Sequence, residues 1–327
     1  YLTPTKGSIN GRLRNILTST HQQTAPLPYT SRIDVQNWAT DNTWTNFSVW
    51  DVPNSQGING EPIDWNIVRA NHNIISDTKD LTLLGFDVNS MEITISGPGA
   101  QDENNLGHAL YITHYLKLNG AIDLVGESQL VQKRYTPTQI SESFFDNTSE
   151  GYIERDQRGT SNPFNYNYWG SPVAPGNATS DINNNTSNNY SIGSILRDGT
   201  TTVPNPIDRY IPWTPNRTAA GGDPTQVSTR WLYAYYNAVG NTYSEWDRIG
   251  NTASIATGLG YIMKGSGNDY DSSSFDGGNP QNYVFVGKPN NGIITNSVGG
   301  FPFEVLLGNP YPSAIDAYEF IKDNMPK

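Results

Sequence analysis

The sequence predicts an all-β protein, with a parallel β-solenoid-like first half followed by an antiparallel β-sandwich and little helix. Short alternations of apolar and polar residues recur through residues 61–135 with tight turns between them, as expected for stacked coils of short strands. Asn, Thr, Ser and Gly are abundant, and these residues disfavour helix interiors. The chain also carries 19 Tyr and 8 Trp, large side chains that suit the cores of sheets.

Residues 1–60 are predicted to form an N-terminal cap or an irregular β region. Trp38, Trp44 and Trp50 recur at even intervals, which would place them on one face of a single long strand. An Asp-Asn pair between the first two predicts a turn there. We therefore expect a hairpin or a capping coil rather than one continuous strand.

The predicted solenoid, residues 61–135, is clearest in the stretch LYITHYLKLNGAIDLVGESQLVQ at positions 110–132. Residues 116–118 and 122–124 alternate apolar and polar side chains, so one face of each points to a core. Asn119-Gly120 between them is a turn dipeptide, because both residues tolerate positive φ. Seven strands are predicted in this half, at residues 63–69, 74–76, 81–88, 92–96, 110–118, 122–125 and 129–132.

The length of one coil cannot be counted from the sequence, since a polar excursion at residues 96–107 interrupts the pattern. An ordinary antiparallel sandwich remains the alternative for this half, because short alternating strands are also typical of sandwiches.

Residues 136–150 are predicted to be a linker, and residues 151–327 a β-sandwich that is incomplete at its C-terminal end. A helix is predicted at residues 314–322, with Ser313 as its N-cap. Strands are predicted at residues 190–198, 206–213, 229–237, 243–249, 258–264, 282–286 and 303–307.

Composition excludes several classes of function. The net charge is -11 and the pI about 4.7, so a nucleic-acid partner is not expected, because such binding depends on clustered Lys and Arg. No apolar run in the sequence approaches the length of about 20 residues that a membrane-spanning helix needs, so we expect no direct insertion into a membrane. The absence of cysteine excludes disulfides, thiolate metal sites and cysteine nucleophiles.

Several phrases of the sequence resemble the very large surface proteins of Bacteroidota, especially flavobacteria. The phrases are LKLNGAIDLVGESQLVQ (116–132), IERDQRGTSNPFNYNYWGSPV (153–173), GYIMKGSG (260–267), NYVFVGKPNNG (282–292) and LLGNPYPSAIDAYEF (306–320). The resemblance implies export by the type IX secretion system, with its translocon and shuttle proteins as partners, and an extracellular or outer-surface location. Some proteins of this kind are mobile adhesins of gliding motility. A C-terminal sorting domain is expected beyond this region in such proteins.

A calcium site is the candidate metal site. Asp269, Asp271 and Asp276 lie in one glycine-rich loop, and calcium prefers several oxygen ligands from a flexible loop. Their spacing does not match the EF-hand pattern, and such loops are more often simply solvated. A weaker version of the same pattern contains Asp181.

Aromatic clusters are candidate platforms for stacking sugar rings. One cluster contains Tyr166, Tyr168 and Trp169, and the other contains Tyr233, Tyr235 and Tyr236. The alternative is that these residues are sheet core or cross-strand pairs, which is the usual role of aromatics at alternating positions.

No pattern in the sequence identifies a catalytic residue. There is no G-x-S-x-G elbow, phosphate-binding loop or dinucleotide fingerprint. Glycosidases need two carboxylates across a cleft, and the acidic residues of this chain show no spacing that singles out a pair. Residues 154–156 (Glu-Arg-Asp) are interpreted as a local charge cluster that pairs within itself or with Arg158.

The sequence therefore predicts a non-enzymatic, extracellular structural or adhesive segment of a large surface protein, with a role in gliding or attachment. The alternative is a carbohydrate-binding module, with or without calcium, whose partners are surface glycans.

Overall fold

A computed structural model of the chain describes residues 67–70, 72–132, 143–160, 162–176, 189–201, 206–219, 223–240, 242–266 and 280–325. Strands account for 42% of the residues and helices for 10%, which confirms the predicted all-β fold class. No helix in these ranges is long and apolar enough to cross a membrane. The predicted N-terminal cap, residues 1–60, lies outside the described part of the chain.

The first half is a solenoid in which the coils build two parallel sheets. The first sheet contains β1 (Ile67–Ala70), β3 (Leu81–Val88), β5 (Ala109–Leu118), β7 (Gln129–Gln132) and β8 (Phe144–Phe145). The second sheet contains β2 (Ile74–Ser76), β4 (Glu92–Ile95), β6 (Ala121–Leu124) and β9 (Tyr152–Thr160). Every pairing among these strands is parallel, so the solenoid prediction holds and the antiparallel alternative is wrong for this half.

The register between strands gives the coil lengths that the sequence hides. Ile67 lies opposite Gly85, and Leu81 lies opposite Leu110, so the second coil is distinctly longer than the first, and its extra length is the polar excursion between β4 and β5. In the next coil Ala109 lies opposite Gln129, but Tyr115 lies opposite Phe144, so that coil is also lengthened, between β7 and β8. The core residues of successive coils stay aligned across both changes in length.

Apolar columns form the core of the solenoid, because parallel register places equivalent residues directly above one another. The column members are at most 1% exposed, and burying each of them contributes about 1.5–3 kcal/mol relative to exposure. One column runs through each sheet: Val68, Phe86, Leu116 and Phe145 in the first, and Ile74, Ile93, Ile122 and Ile153 in the second.

Strand β9 belongs to both halves of the chain. It is parallel to β6, with Ile153 opposite Ile122, and antiparallel to β19 (Pro280–Pro289), with Glu154 opposite Val286. The segment predicted as a linker includes β8, and the Ser149 hydroxyl accepts a hydrogen bond from the Leu118 amide at 2.9 Å. The sheet therefore continues without interruption from the solenoid into the second half.

The second half is built mainly from antiparallel sheets. One sheet has the order β10 (Tyr166–Gly170), β18 (Gly260–Lys264), β15 (Leu232–Ala234), β17 (Asp247–Arg248). Strands β11 (Val173–Ala174) and β12 (Leu196–Asp198) pair with β19. Two small pairs are added, the parallel pair of β13 (Trp213–Thr214) with β14 (Val227–Ser228) and the antiparallel pair of β16 (Tyr236–Val239) with β20 (Phe303–Val305).

A buried carboxylate organises part of this second half. Asp198 is fully buried at the end of β12. It accepts hydrogen bonds from the amide and hydroxyl of Thr200 at 2.9 and 2.6 Å, from Gln281 at 3.2 Å and from the Thr225 amide. Because its oxygens are satisfied, the buried charge joins three segments that are distant in sequence.

Several predicted strands of the second half are wrong in detail. Residues 190–198 contain a short helix, α1 (Ile192–Ile195), before β12. Residues 206–213 begin with a 3-10 turn, and residues 229–237 contain another at Thr229–Trp231. In the latter case the Ser228 side chain accepts a hydrogen bond from the Arg230 amide, a local alternative to strand pairing that alternation alone does not reveal.

The predicted C-terminal helix is present but begins later. Helix α2 spans Ala317–Asn324, and its N-cap is Asp316, whose carboxylate accepts from the amides of Tyr318 at 2.9 Å and Glu319 at 3.1 Å. Ser313 is therefore not the cap. The Ser313 carbonyl instead accepts a hydrogen bond from the Asn309 side chain, which holds the turn before the helix.

Candidate functional site

A cleft of about 570 Å³ lies where the solenoid meets the sandwich. A smaller recess of about 230 Å³ adjoins it and shares four of its lining residues. The shared residues are Glu127, Arg155, Gln157 and Arg158. The cleft continues to Tyr168 on β10, and the recess continues to the polar excursion of the solenoid.

The far wall of the cleft is the turn at residues 309–314, which docks onto the solenoid. The Leu130 amide donates to the Pro312 carbonyl at 2.9 Å, and the Ala314 amide donates to the Gln129 side chain at 3.0 Å. Gly170 lies against the start of this turn, and a Cβ on it would lie 2.6 Å from the Cα of Gly308. The segment GNPYPS (308–313) thus forms this wall of the cleft.

The alternation of β10 separates its aromatic residues. Trp169 points inward, where its ring lies 5.4 Å from Tyr283 and 6.0 Å from Phe285. Tyr168 points outward and is 70% exposed, whereas Trp169 is 7% exposed. Both residues line the cleft, but of the two it is Tyr168 that has a ring face free for a ligand.

Tyr166 and Tyr233 share the outer face of the same sheet and form a packed cluster. Their rings meet edge to face at 6.1 Å, and the Lys264 ammonium lies 4.8 Å above the Tyr166 ring and 4.3 Å above the Trp231 ring. Burial, reinforced by the neighbouring Tyr243 and Tyr233, raises the pKa of Tyr166, and burial lowers the pKa of Lys264. The cation already occupies one face of the Tyr166 ring and one face of the Trp231 ring.

Tyr235 lies elsewhere, packed against Trp246 with a ring separation of 4.9 Å. Its hydroxyl is 2.7 Å from the Glu304 carboxylate and 2.8 Å from the Gly240 carbonyl. Of the predicted sugar-stacking residues, Tyr166, Tyr168 and Tyr233 thus share the outer face of one sheet, whereas Trp169 lies on its inner face and Tyr235 lies against Trp246. Tyr168 alone among them combines an exposed ring with a position in the cleft.

The two arginines of the cleft differ in their contacts. The Arg155 guanidinium donates to the carbonyls of Gly126 and Asp156, and its burial lowers its pKa. Arg158 is exposed, and its guanidinium makes no hydrogen bond or ion pair within the described ranges. Arg155 therefore holds the fold, and Arg158 is free to meet a ligand.

The charged triplet at residues 154–156 does not pair within itself as a simple cluster. Glu154 is 4% exposed and lies beside Asp123 on the neighbouring strand. Burial, reinforced by Asp123 and Glu92, raises the pKa of Glu154 to about 9, and Arg209 opposes the shift. Burial, with Asp156 and Glu92, likewise raises the pKa of Asp123 to about 8.

The candidate calcium ligands Asp269, Asp271 and Asp276 lie outside the described residues, as does Asp181. Within the described ranges, no group of three or more His, Asp or Glu side chains is placed to hold a metal ion. Calcium binding thus stays a prediction.

Sequence reasoning missed Arg158 and Gln157 as cleft residues. Alternation along β9 places Gln157 with Arg155 on one face and Arg158 with Glu154 and Asp156 on the other, so alternation alone could not have found both. That alternation could be interpreted only once the neighbours of β9 on each face were known.

A protein-family profile described as "Domain of unknown function (DUF8693)" matches residues 205–327. The match covers less than half of the chain and begins after the solenoid and β10. No curated protein and no solved structure matches the chain.

Proposed function

We propose that this chain is a non-enzymatic structural or adhesive segment of a large extracellular surface protein. The observation that carries the proposal is the continuous sheet through β9, which pairs with β6 of the solenoid on one side and with β19 of the sandwich on the other. In a solenoid each coil is hydrogen-bonded to its neighbours, so the stack is stiff. The second half extends that stiffness without a free linker.

The proposed role is mechanical. Such a segment holds contact surfaces away from the cell and transmits force along a hydrogen-bonded ladder. The resemblance to Bacteroidota surface proteins supports export by the type IX secretion system, capture by its translocon and shuttle proteins during export, and a role in gliding or attachment at the outer cell surface.

Forced unfolding of the whole chain between two marker domains tests the mechanical role. We expect the solenoid and the sandwich to unfold in one event, because β9 is shared. Gln157→Pro removes a backbone donor of β9 opposite Tyr283 of β19 and should split that event into two. Two separate events in the unaltered chain, at forces that the substitution does not change, would argue against a mechanical unit.

Location is tested separately on intact cells. We expect an epitope tag on the native chain to be accessible to antibody and to protease, and to lose that accessibility when the type IX translocon is deleted. Retention of surface exposure without the translocon would exclude the proposed route.

The exposed ring of Tyr168 in the cleft favours a second candidate function, carbohydrate binding. Aromatic rings with one free face and nearby amide and charged groups are suited to saccharides. Retention on a glycan panel, with calcium and with EDTA, tests it. Loss of retention in Tyr168→Ala would support the cleft, and calcium dependence would point to Asp269, Asp271 and Asp276.

A further inference from the structure

We infer that the cleft beside β9 selects saccharides that carry carboxylates, such as uronic-acid polymers, and that Arg158 supplies the selecting charge. The inference rests on the second candidate function, carbohydrate binding at this cleft, and adds the ligand class.

Three charged residues line the cleft: Glu127, Arg155 and Arg158. Arg155 is committed to the carbonyls of Gly126 and Asp156. Glu127 lies near enough to Arg155 to raise its pKa, against the larger effect of burial. Of the two arginines, it is Arg158 whose guanidinium makes no hydrogen bond or ion pair within the described ranges, so it is the cation that an anionic group can reach.

The acidic residues of the adjoining recess are already engaged. Asp156 accepts from the Gly126 amide at 2.9 Å and from the Asn282 side chain at 3.1 Å. Glu103 accepts from the Asn104 side chain at 3.2 Å. Neither acid forms an ion pair with Arg158, so the N–H donors of its guanidinium are available to a ligand.

The chemistry of Arg158 and Tyr168 together identifies the ligand. A guanidinium pairs with a carboxylate through two parallel hydrogen bonds, a geometry that a neutral hydroxyl cannot reproduce. The exposed ring of Tyr168 offers a flat apolar face for the C–H side of a sugar ring. Uronic acids present both features within one residue, and Asn167 and Gln157 line the same cleft and can meet hydroxyls.

The net charge of the protein limits how an acidic ligand can be held. With a net charge of -11, the chain repels polyanions at long range. Retention of an acidic polysaccharide must therefore come from a local contact, and removing Arg158 should weaken it at least about tenfold.

Titration calorimetry of residues 1–327 with oligogalacturonate, neutral cellohexaose and dextran sulfate tests the inference. Arg158→Gln and Tyr168→Ala are the test variants. Arg217→Gln and Tyr318→Ala are the controls, because both residues are exposed and lie away from the cleft. Circular dichroism checks that all four variants fold.

The expected result is binding of oligogalacturonate that weakens at least about tenfold in Arg158→Gln and in Tyr168→Ala, with both controls unchanged. Equal affinity for cellohexaose, lost in Tyr168→Ala but not in Arg158→Gln, would overturn the acidic selectivity and leave carbohydrate binding standing. Equal affinity for dextran sulfate, unaffected by either test variant, would overturn it as non-specific charge. No binding to any probe would overturn both this inference and the carbohydrate-binding function.

Discussion

The two halves of this protein bury their sheets in different ways. The solenoid stacks apolar columns in parallel register, and each of its strands pairs with a strand of the neighbouring coil. The second half combines short strands, 3-10 turns and a buried carboxylate at Asp198 that joins three segments. The repeated pattern allows the strands of the first half to be predicted from the sequence. The strands of the second half are harder to predict, because they depend on irregular contacts between distant segments.

The largest expected effect tests the apolar columns. Phe86→Ala removes a fully buried ring from the middle of a column and should lower the free energy of unfolding by about 4 kcal/mol, since the cavity lies between two coils. Urea denaturation measures it. Phe320→Ala, at a ring that is 55% exposed, is the control and should change stability by less than about 0.5 kcal/mol. Equal effects would contradict the column as the source of stability.

The next effect tests the polar centre of the second half. Asp198→Ala removes the acceptor of the buried Thr225 amide and the buried Gln281 side chain, as well as that of the exposed Thr200, and should cost about 3 kcal/mol. Asp247→Ala removes an exposed carboxylate of the same half and serves as the matched control in the same denaturation experiment. A loss below about 1 kcal/mol for Asp198→Ala would mean that water replaces the carboxylate at little cost.

A third prediction concerns the contact between the halves, where Arg209 from the second half approaches Asp123 and Glu154 of the solenoid sheet. The folded state holds protons on this pair up to about pH 8–9, whereas the unfolded chain releases them near pH 4. Stability should therefore fall as pH rises from 5 to 9, because the folded state binds more protons than the unfolded chain over this range.

Glu154→Gln should flatten this dependence, because the amide cannot ionise. Denaturation midpoints across the pH range measure the slope, and Glu127→Gln, at an exposed acid, should leave it unchanged. A slope that stays the same in Glu154→Gln would assign the pH dependence to other groups.

The smallest effect concerns the C-terminal helix, whose residues are exposed. Asp316→Ala removes the cap that accepts from Tyr318 and Glu319 and should destabilise the helix locally by about 1 kcal/mol. Faster hydrogen exchange of those two amides is the measurement, since global stability should barely change. Ser313→Ala should have no such effect, and faster exchange in that variant instead would restore Ser313 as the cap.

The strands of the solenoid follow directly from alternation in the sequence, and β2 and β3 have the predicted limits. The predicted strand at 229–237 is wrong at its start, where the Ser228 side chain accepts a hydrogen bond from the Arg230 amide and Thr229–Trp231 form a 3-10 turn, whereas Leu232–Ala234 and Tyr236–Val239 are strands. Local hydrogen bonds of this kind compete with strand pairing, and hydrophobic periodicity carries no information about them.

In the candidate site, too, some features could be predicted from the sequence and others could not. Tyr168 could be named from composition and spacing, but Tyr166, Trp169, Tyr233 and Tyr235 looked equivalent to it in the sequence. Their roles separate only through packing: Trp169 packs against Tyr283, Tyr166 meets Tyr233 edge to face beneath Lys264, and Tyr235 packs against Trp246.

Alternation and turn residues were enough to predict the all-β class and the stacked short strands, because both act within a few positions along the chain. Three features required the folded molecule: β9 joins the halves, the turn at residues 309–314 closes a cleft over it, and Arg158 rather than Arg155 is available there. These features depend on which distant segments meet across a sheet, and the exposure of each side chain is fixed only when they do.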